Sequence, residues 1–229
     1  MQVRRSGYGG ARPRSRAVRA AGIATAGAAS AVAYAFFVRP RMTNWGATAE
    51  EVNASLPGDE LVRDPDYVTT RAVTVNARPE DIWPWLMQVG YRRGGLYSYD
   101  SLDRIFGYLD RPSAEEILPE FQGLAVGDTI PVGRGPSWPV RILEPSRAFV
   151  MEPIAGTITW GFALIPRDDH ATRLITRVRC RVEDTTSRTL LFAVIDPAAF
   201  VMTRKMLLNL KRRAEALARR HEGAGSPTA

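Results

Sequence analysis

The 229-residue chain has one cysteine, Cys180, and two histidines, His170 and His221, and each scarcity removes a class of protein. A single thiol excludes an internal disulfide. One Cys with two His leaves too few soft ligands for a structural zinc site, so no metal is expected. A Ser-His-acid triad needs a His that can sit in a cleft. His170 falls in a turn beside Asp168 and Asp169, and His221 lies next to the tail, so both read as surface residues. There is no Gly-Lys-Ser/Thr, and Gly133-Arg-Gly135 lacks the third glycine of a dinucleotide loop. Neither a phosphate loop nor a cofactor is therefore expected.

Acid is missing from one region altogether. Residues 1–41 hold eight arginines and no Asp or Glu, a charge of +8. The stretch from Arg204 onward carries +5, which leaves residues 42–203 at −6 within the overall +7. A nucleic-acid-binding core would carry its own basic face, so nucleic acid is not expected as a partner.

Between Arg19 and Arg39 lie 19 uncharged residues, 20–38, nine of them Ala. As a helix this run reaches about 28 Å, close to the thickness of the hydrocarbon core. It reads as a single membrane span; a cleaved signal or an Ala-rich leader are the alternatives. The arginine excess ahead of it places the leader in the cytoplasm and the following domain outside, although Arg39 and Arg41 oppose that orientation. The chain thus divides into a basic leader with a membrane helix over 1–41, a connector over 42–66, one domain over 67–221 and a tail over 222–229.

Thr48-Ala-Glu-Glu51 is a capping box opening a short helix in the connector. Residues 68–77, rich in Val and Thr, read as a strand. Pro79 at the first helical position, followed by Glu80 and Asp81, predicts a helix over 79–89. Two short helices are expected over 99–106 and 114–121, the second opened by Ser113-x-x-Glu116. Strands follow over 128–132, 140–143, 148–152, 157–165 and 172–182. Trp160, Phe162 and Leu164 share one face of their strand. In the last strand Leu174, Thr176, Val178 and Cys180 point to the core, and Arg173, Arg177, Arg179 and Arg181 read as a solvated face or as a site for an anionic partner. Asp196-Pro197 starts a long amphipathic helix of about 20 residues, with Phe200, Leu207, Leu210 and Ala214 inward and bases outward, where anionic lipid is the sharper reading.

That element order, with Val68-Thr-Thr-Arg-Ala-Val-Thr-Val-Asn-Ala77, Pro79-Glu-Asp-Ile-Trp-Pro-Trp-Leu86, Gly94-Gly-Leu-Tyr-Ser-Tyr-Asp100 and the closing Phe200-Val-Met-Thr-Arg-Lys-Met-Leu208, resembles the START-like, polyketide-cyclase superfamily (SRPBCC). The resemblance extends to a bacterial subgroup with an N-terminal membrane segment, which implies residence in the bacterial cell membrane. It implies an α+β helix-grip fold: a curved antiparallel sheet around the C-terminal helix, with a cavity between them for a hydrophobic small molecule or lipid. Trp85, Tyr97, Tyr99, Trp138, Trp160, Phe162 and Phe200 are the aromatic candidates to line it, with Arg92, Asp100 and Glu152 to orient a ligand. Binding is the first functional expectation. A cyclase or dehydratase using Asp100 or Glu152 as general acid or base is the second, and a ligand-free scaffold contacting an anionic partner is the third.

Overall fold

The computed structural model describes residues 33–135, 137–182, 184–190 and 194–225. Most of the expected membrane segment, 20–38, lies outside the described residues, as does the end of the tail. Tyr34–Val38 forms a π-helical turn that leads into α1 (Arg39–Thr43). Among the described residues no helix is long and apolar enough to cross a membrane. From Met42 onward the chain forms one compact unit.

The connector opens with α2 (Ala49–Asn53), whose capping box closes as expected: Thr48 Oγ1 accepts the Glu51 N–H, and Glu51 accepts the Thr48 N–H. β1 (Tyr67–Val75) leads to α3 (Pro79–Met87), which has Pro79 in its first turn and buries Ile82, Trp85, Leu86 and Met87. α4 (Asp100–Ile105) follows, then β2 (Thr129–Pro131), β3 (Ser137–Glu144), β4 (Ala148–Ile154), β5 (Ile158–Pro166) and β6 (Thr172–Cys180). A short α5 (Thr185–Leu190), not expected from sequence, precedes α6 (Asp196–Gly225), which is 30 residues long.

The six strands form one antiparallel sheet in the order β1-β6-β5-β4-β3-β2, so the last strand, β6, pairs with the first, β1. Alternation decides the faces. Val140, Phe149, Met151, Phe162, Leu164 and Leu174 bury the inner face together with α3 and the α6 stripe Met206, Leu207, Leu210 and Ala214. The fold is therefore α+β, with a long C-terminal helix packed on the sheet.

Three expectations need correction. No α-helix forms over 114–121; only Pro119–Phe121 makes a 3-10 turn. The polar groups that would cap and propagate a helix there are taken by distant partners. The Ser113 N–H and hydroxyl donate to Asp100, the Leu118 N–H donates to Gln88, and the Ala114 carbonyl accepts from Arg213. Cys180, at the end of β6, is only half-buried.

The third correction concerns Arg173, Arg177 and Arg179 of β6, which are not a solvated face; Arg181, just past the strand, is exposed as expected. The connector lies over them. Arg173 makes a bidentate pair with Glu51 at 2.7 and 2.8 Å. Arg177, 6% exposed, donates to Thr70, to Asp59 at 2.6 Å, and to the carbonyls of Glu51, Val52 and Ala54 at the end of α2. Arg179 donates to the Val62 carbonyl. Beneath this layer Leu56, Ala72, Ala163 and Ile175 form a second, small apolar cluster. The anionic partner of the arginine row is the chain's own connector.

The bases of α6 are likewise partly engaged at home. Lys211 donates to the Thr74 carbonyl at 2.7 Å, and Arg212 and Arg213 both pair with Glu115.

Candidate ligand pocket and neighbouring carboxylates

Where α6 crosses the inner face, a pocket of about 70 Å³ opens between Leu96 and Ser98 on the loop before α4, Trp160 on β5, and Met202, Thr203 and Met206 on α6. Its back wall is aromatic. Trp160 meets Trp138 edge-on at 5.6 Å and Phe162 at 5.2 Å, and Phe162 stacks on Phe149 at 6.0 Å. The Trp160 Nε1–H donates to Thr176 Oγ1 at 2.9 Å, so the indole is fixed by a hydrogen bond as well as by packing.

The structure gathers only part of the expected site residues here. Trp160 lines the pocket, and Trp138 and Phe162 sit behind it. Trp85 and Tyr97 are deeper: fully buried, edge to face at 6.1 Å, with the Tyr97 hydroxyl donating to the Trp85 carbonyl. Burial raises the Tyr97 phenol above its ordinary range. Tyr99 is exposed and outside the lining, with the Lys205 ammonium 5.5 Å from its ring. Arg92 is exposed, and its carbonyl accepts from Arg111. Phe200 lies under the guanidinium of Arg71 at 5.7 Å. That arginine belongs to a buried group in which Tyr67 and Arg71 both donate to Asp196 Oδ1 at 2.7 and 3.2 Å.

The two carboxylates proposed from sequence are held elsewhere. Asp100 accepts the Ser113 N–H at 3.0 Å and the Ser113 hydroxyl at 2.7 Å, pinning the 113–118 segment to the start of α4. Glu152 is buried near the β4–β5 turn, where it accepts the Gly156 N–H at 2.8 Å and pairs with Arg141 at 3.1 Å. Neither lines the pocket.

Sequence reading missed the carboxylate that does approach it. Asp103, on the first turn of α4, is completely buried, and its Oδ2 lies 2.5 Å from the Ser98 hydroxyl, which lines the pocket. Its Oδ1 has no hydrogen-bond partner among the described residues. Burial pushes the Asp103 carboxyl above the usual carboxylate range, against the opposing effect of the Ser98 hydrogen bond and with a small push from the Asp100 charge. In sequence, Asp103 is one more acid at a helix start, where acids are commonplace; only its enclosure distinguishes it.

A larger, open cleft of about 710 Å³ lies at another edge of the domain, lined by residues including Arg78, Asp81, His170, Arg219 and His221. There His221 Nδ1 approaches Asp81 Oδ1 at 2.8 Å, while the His221 side chain is 64% exposed. Among the described residues no cluster of three or more His, Cys, Asp or Glu side chains is arranged to hold a metal ion.

No protein-family model and no curated protein matches the chain. Solved structures do. The aromatase/cyclase Zhui from Streptomyces sp. R1128 is 22% identical, with 70% of this chain and 99% of that protein covered at a TM-score of 0.36. A polyketide-cyclase-like protein from Corynebacterium glutamicum is 14% identical over 69% of this chain and 92% of its own, TM-score 0.31. DynU16, a protein of the dynemicin biosynthetic locus, is 16% identical over 64% of this chain, TM-score 0.38, and the chain spans 48% of its length.

Proposed function

We propose that this chain binds an apolar small molecule or lipid between the inner face of the sheet and α6, with residues 20–38 attaching it to a membrane. The observation that carries the reading is the pocket at Trp160, where an aromatic wall faces two methionines, Met202 and Met206. At about 70 Å³ the pocket is far smaller than the roughly 300 Å³ that a drug-sized ligand occupies. Methionine is unbranched and re-packs at little cost, so the α6 side of the pocket is the wall that yields while Trp160, fixed to Thr176, stays. Binding is favoured over catalysis because Asp100 and Glu152 are both committed to structural partners away from the pocket. A cyclase or dehydratase would need one of them released. The scaffold alternative loses its most obvious surface, since the β6 arginines contact the connector.

The test is native mass spectrometry of the full chain in mild detergent, exposed to a total lipid extract. Retention of an apolar molecule by the wild type and its loss in Met206→Trp, which fills the pocket, is the expected result. A wild-type protein that stays empty across the extract overturns the reading.

A further inference from the structure

We propose that the pocket selects apolar ligands bearing one uncharged oxygen, a carbonyl or hydroxyl, and that the Ser98 hydroxyl, positioned from behind by Asp103, is the group that recognises it. The inference rests on the pocket reading above and adds the ligand's chemical class. Four observations carry it. Among the described lining residues two bear hydroxyls, Ser98 and Thr203, and the Thr203 oxygen is approached by Arg71 at 3.4 Å. Asp103 sits 2.5 Å behind Ser98, out of contact with solvent. One Asp103 oxygen has no partner among the described residues. The rest of the pocket, Leu96, Trp160, Met202 and Met206, offers an apolar wall, its one ring N–H already given to Thr176.

A hydroxyl has one proton and two lone pairs. When Asp103 holds its proton it donates to Ser98 Oγ, and the Ser98 O–H is free to turn into the pocket and donate to a ligand carbonyl. When Asp103 is ionised the Ser98 proton points inward, and only a lone pair faces the pocket, suited to a ligand hydroxyl. Burial raises the Asp103 carboxyl and so shifts the balance toward the carbonyl-accepting arrangement. A ligand carboxylate at Ser98 would face the Asp103 carboxyl, and no cation is among the described lining residues, Arg71 reaching only the Thr203 side, so neutral ligands are favoured there. Asp103 is a positioning residue: it acts through Ser98.

The probes are acetophenone and ethylbenzene, nearly equal in size and differing in the carbonyl, titrated into the full chain and followed by tryptophan quenching with calorimetry as the second readout. The wild type is expected to bind acetophenone about tenfold more tightly, the worth of one hydrogen bond in a dry site. Ser98→Ala should bring acetophenone down to the ethylbenzene affinity and leave ethylbenzene unchanged. Asp103→Asn, whose amide donates to Ser98 as the protonated acid does, should keep the preference, and Asp103→Leu should lose it. Circular dichroism melting identifies any variant that fails to fold; the Ser98→Ala result, in a variant that removes one oxygen, then decides. Equal affinities in the wild type, or a preference that survives Ser98→Ala, overturn this proposal and leave the pocket standing. Binding of neither probe overturns the pocket together with it.

Discussion

The two faces of the sheet are buried by opposite means, and β6 supplies both. On one side Leu174 joins Phe149, Phe162 and Leu207 in a non-directional apolar core. On the other, Arg173 and Arg177 are covered by a peptide segment whose carbonyls and carboxylates accept most of their hydrogen bonds, Thr74 and Thr70 of β1 taking one each. An apolar core tolerates rearrangement so long as volume is conserved. A guanidinium taken out of water does not, because every unmatched N–H costs its full desolvation. Under the proposed function, the inner face is the side that would open for a ligand and the outer face the backing it opens against.

The comparison breaks most visibly if the outer cover is removed. A fragment of residues 67–225 exposes Ala72, Ala163 and Ile175 and strands Arg177, whereas a fragment of 42–225 keeps them covered. The shorter piece should lose its cooperative thermal transition and the longer one should keep it; a sharp melt from the shorter piece would refute the backing role. Next in size, Phe149→Ala should cost about 4 kcal/mol in urea denaturation through the cavity it leaves, with no dependence on salt. Arg177→Met should cost about 3 kcal/mol, by leaving the α2 carbonyls unmatched and removing the shortest partner of Asp59, which keeps the Leu56 N–H and Arg179. If Arg177→Met proves neutral, the outer network contributes specificity without stability.

The two faces should also titrate in opposite directions. Burial raises the Glu51 carboxyl, but its hydrogen bonds from Arg173 and Thr48 and the charges of Arg173 and Arg167 outweigh this and hold it below the usual value. Its contribution is present above the ordinary carboxylate pKa and is lost as pH falls through the folded value. Asp103 is raised, so its contribution is full below the ordinary value and is lost as pH climbs through the folded one. Comparing urea midpoints at about pH 4 and about pH 7, Glu51→Gln should be more damaging at the higher pH. Asp103→Asn should gain on the wild type there. Slopes of the same sign in both variants would contradict the assignment. The smallest effect is Thr176→Val, about 1 kcal/mol for the lost Trp160 hydrogen bond; it should also loosen the pocket wall, read as broadened Trp160 indole resonances.

Much of the framework was legible because its signals are local. Pro79 with Glu80 and Asp81 started a helix where expected, Thr48 and Glu51 closed their capping box, and the alternation of Trp160, Phe162 and Leu164 assigned the inner face correctly. The same kind of signal at Ser113 and Glu116 failed. A capping box offers about 1 kcal/mol, and here Asp100, Gln88 and Arg213 compete for the same backbone and side-chain groups from elsewhere in the chain. Legibility of the site was thinner. The inward face of Trp160 follows from alternation, but nothing in residue order separates an acid with structural partners, such as Asp100 or Glu152, from one enclosed beside a pocket.

Strand positions, the long closing helix and the sidedness of each strand follow from residue type and spacing, because propensity and alternation act over a few neighbours. Which acid faces which arginine, and which carboxylate stands behind Ser98, do not. Arg177 reaches Asp59 across 118 positions, and Asp103 has a raised pKa because the surrounding fold excludes water from it. Partners so distant in sequence, and the exclusion of water, come into being when the chain closes on itself; before that the β6 arginines are three exposed charges and Asp103 an ordinary helix-start acid.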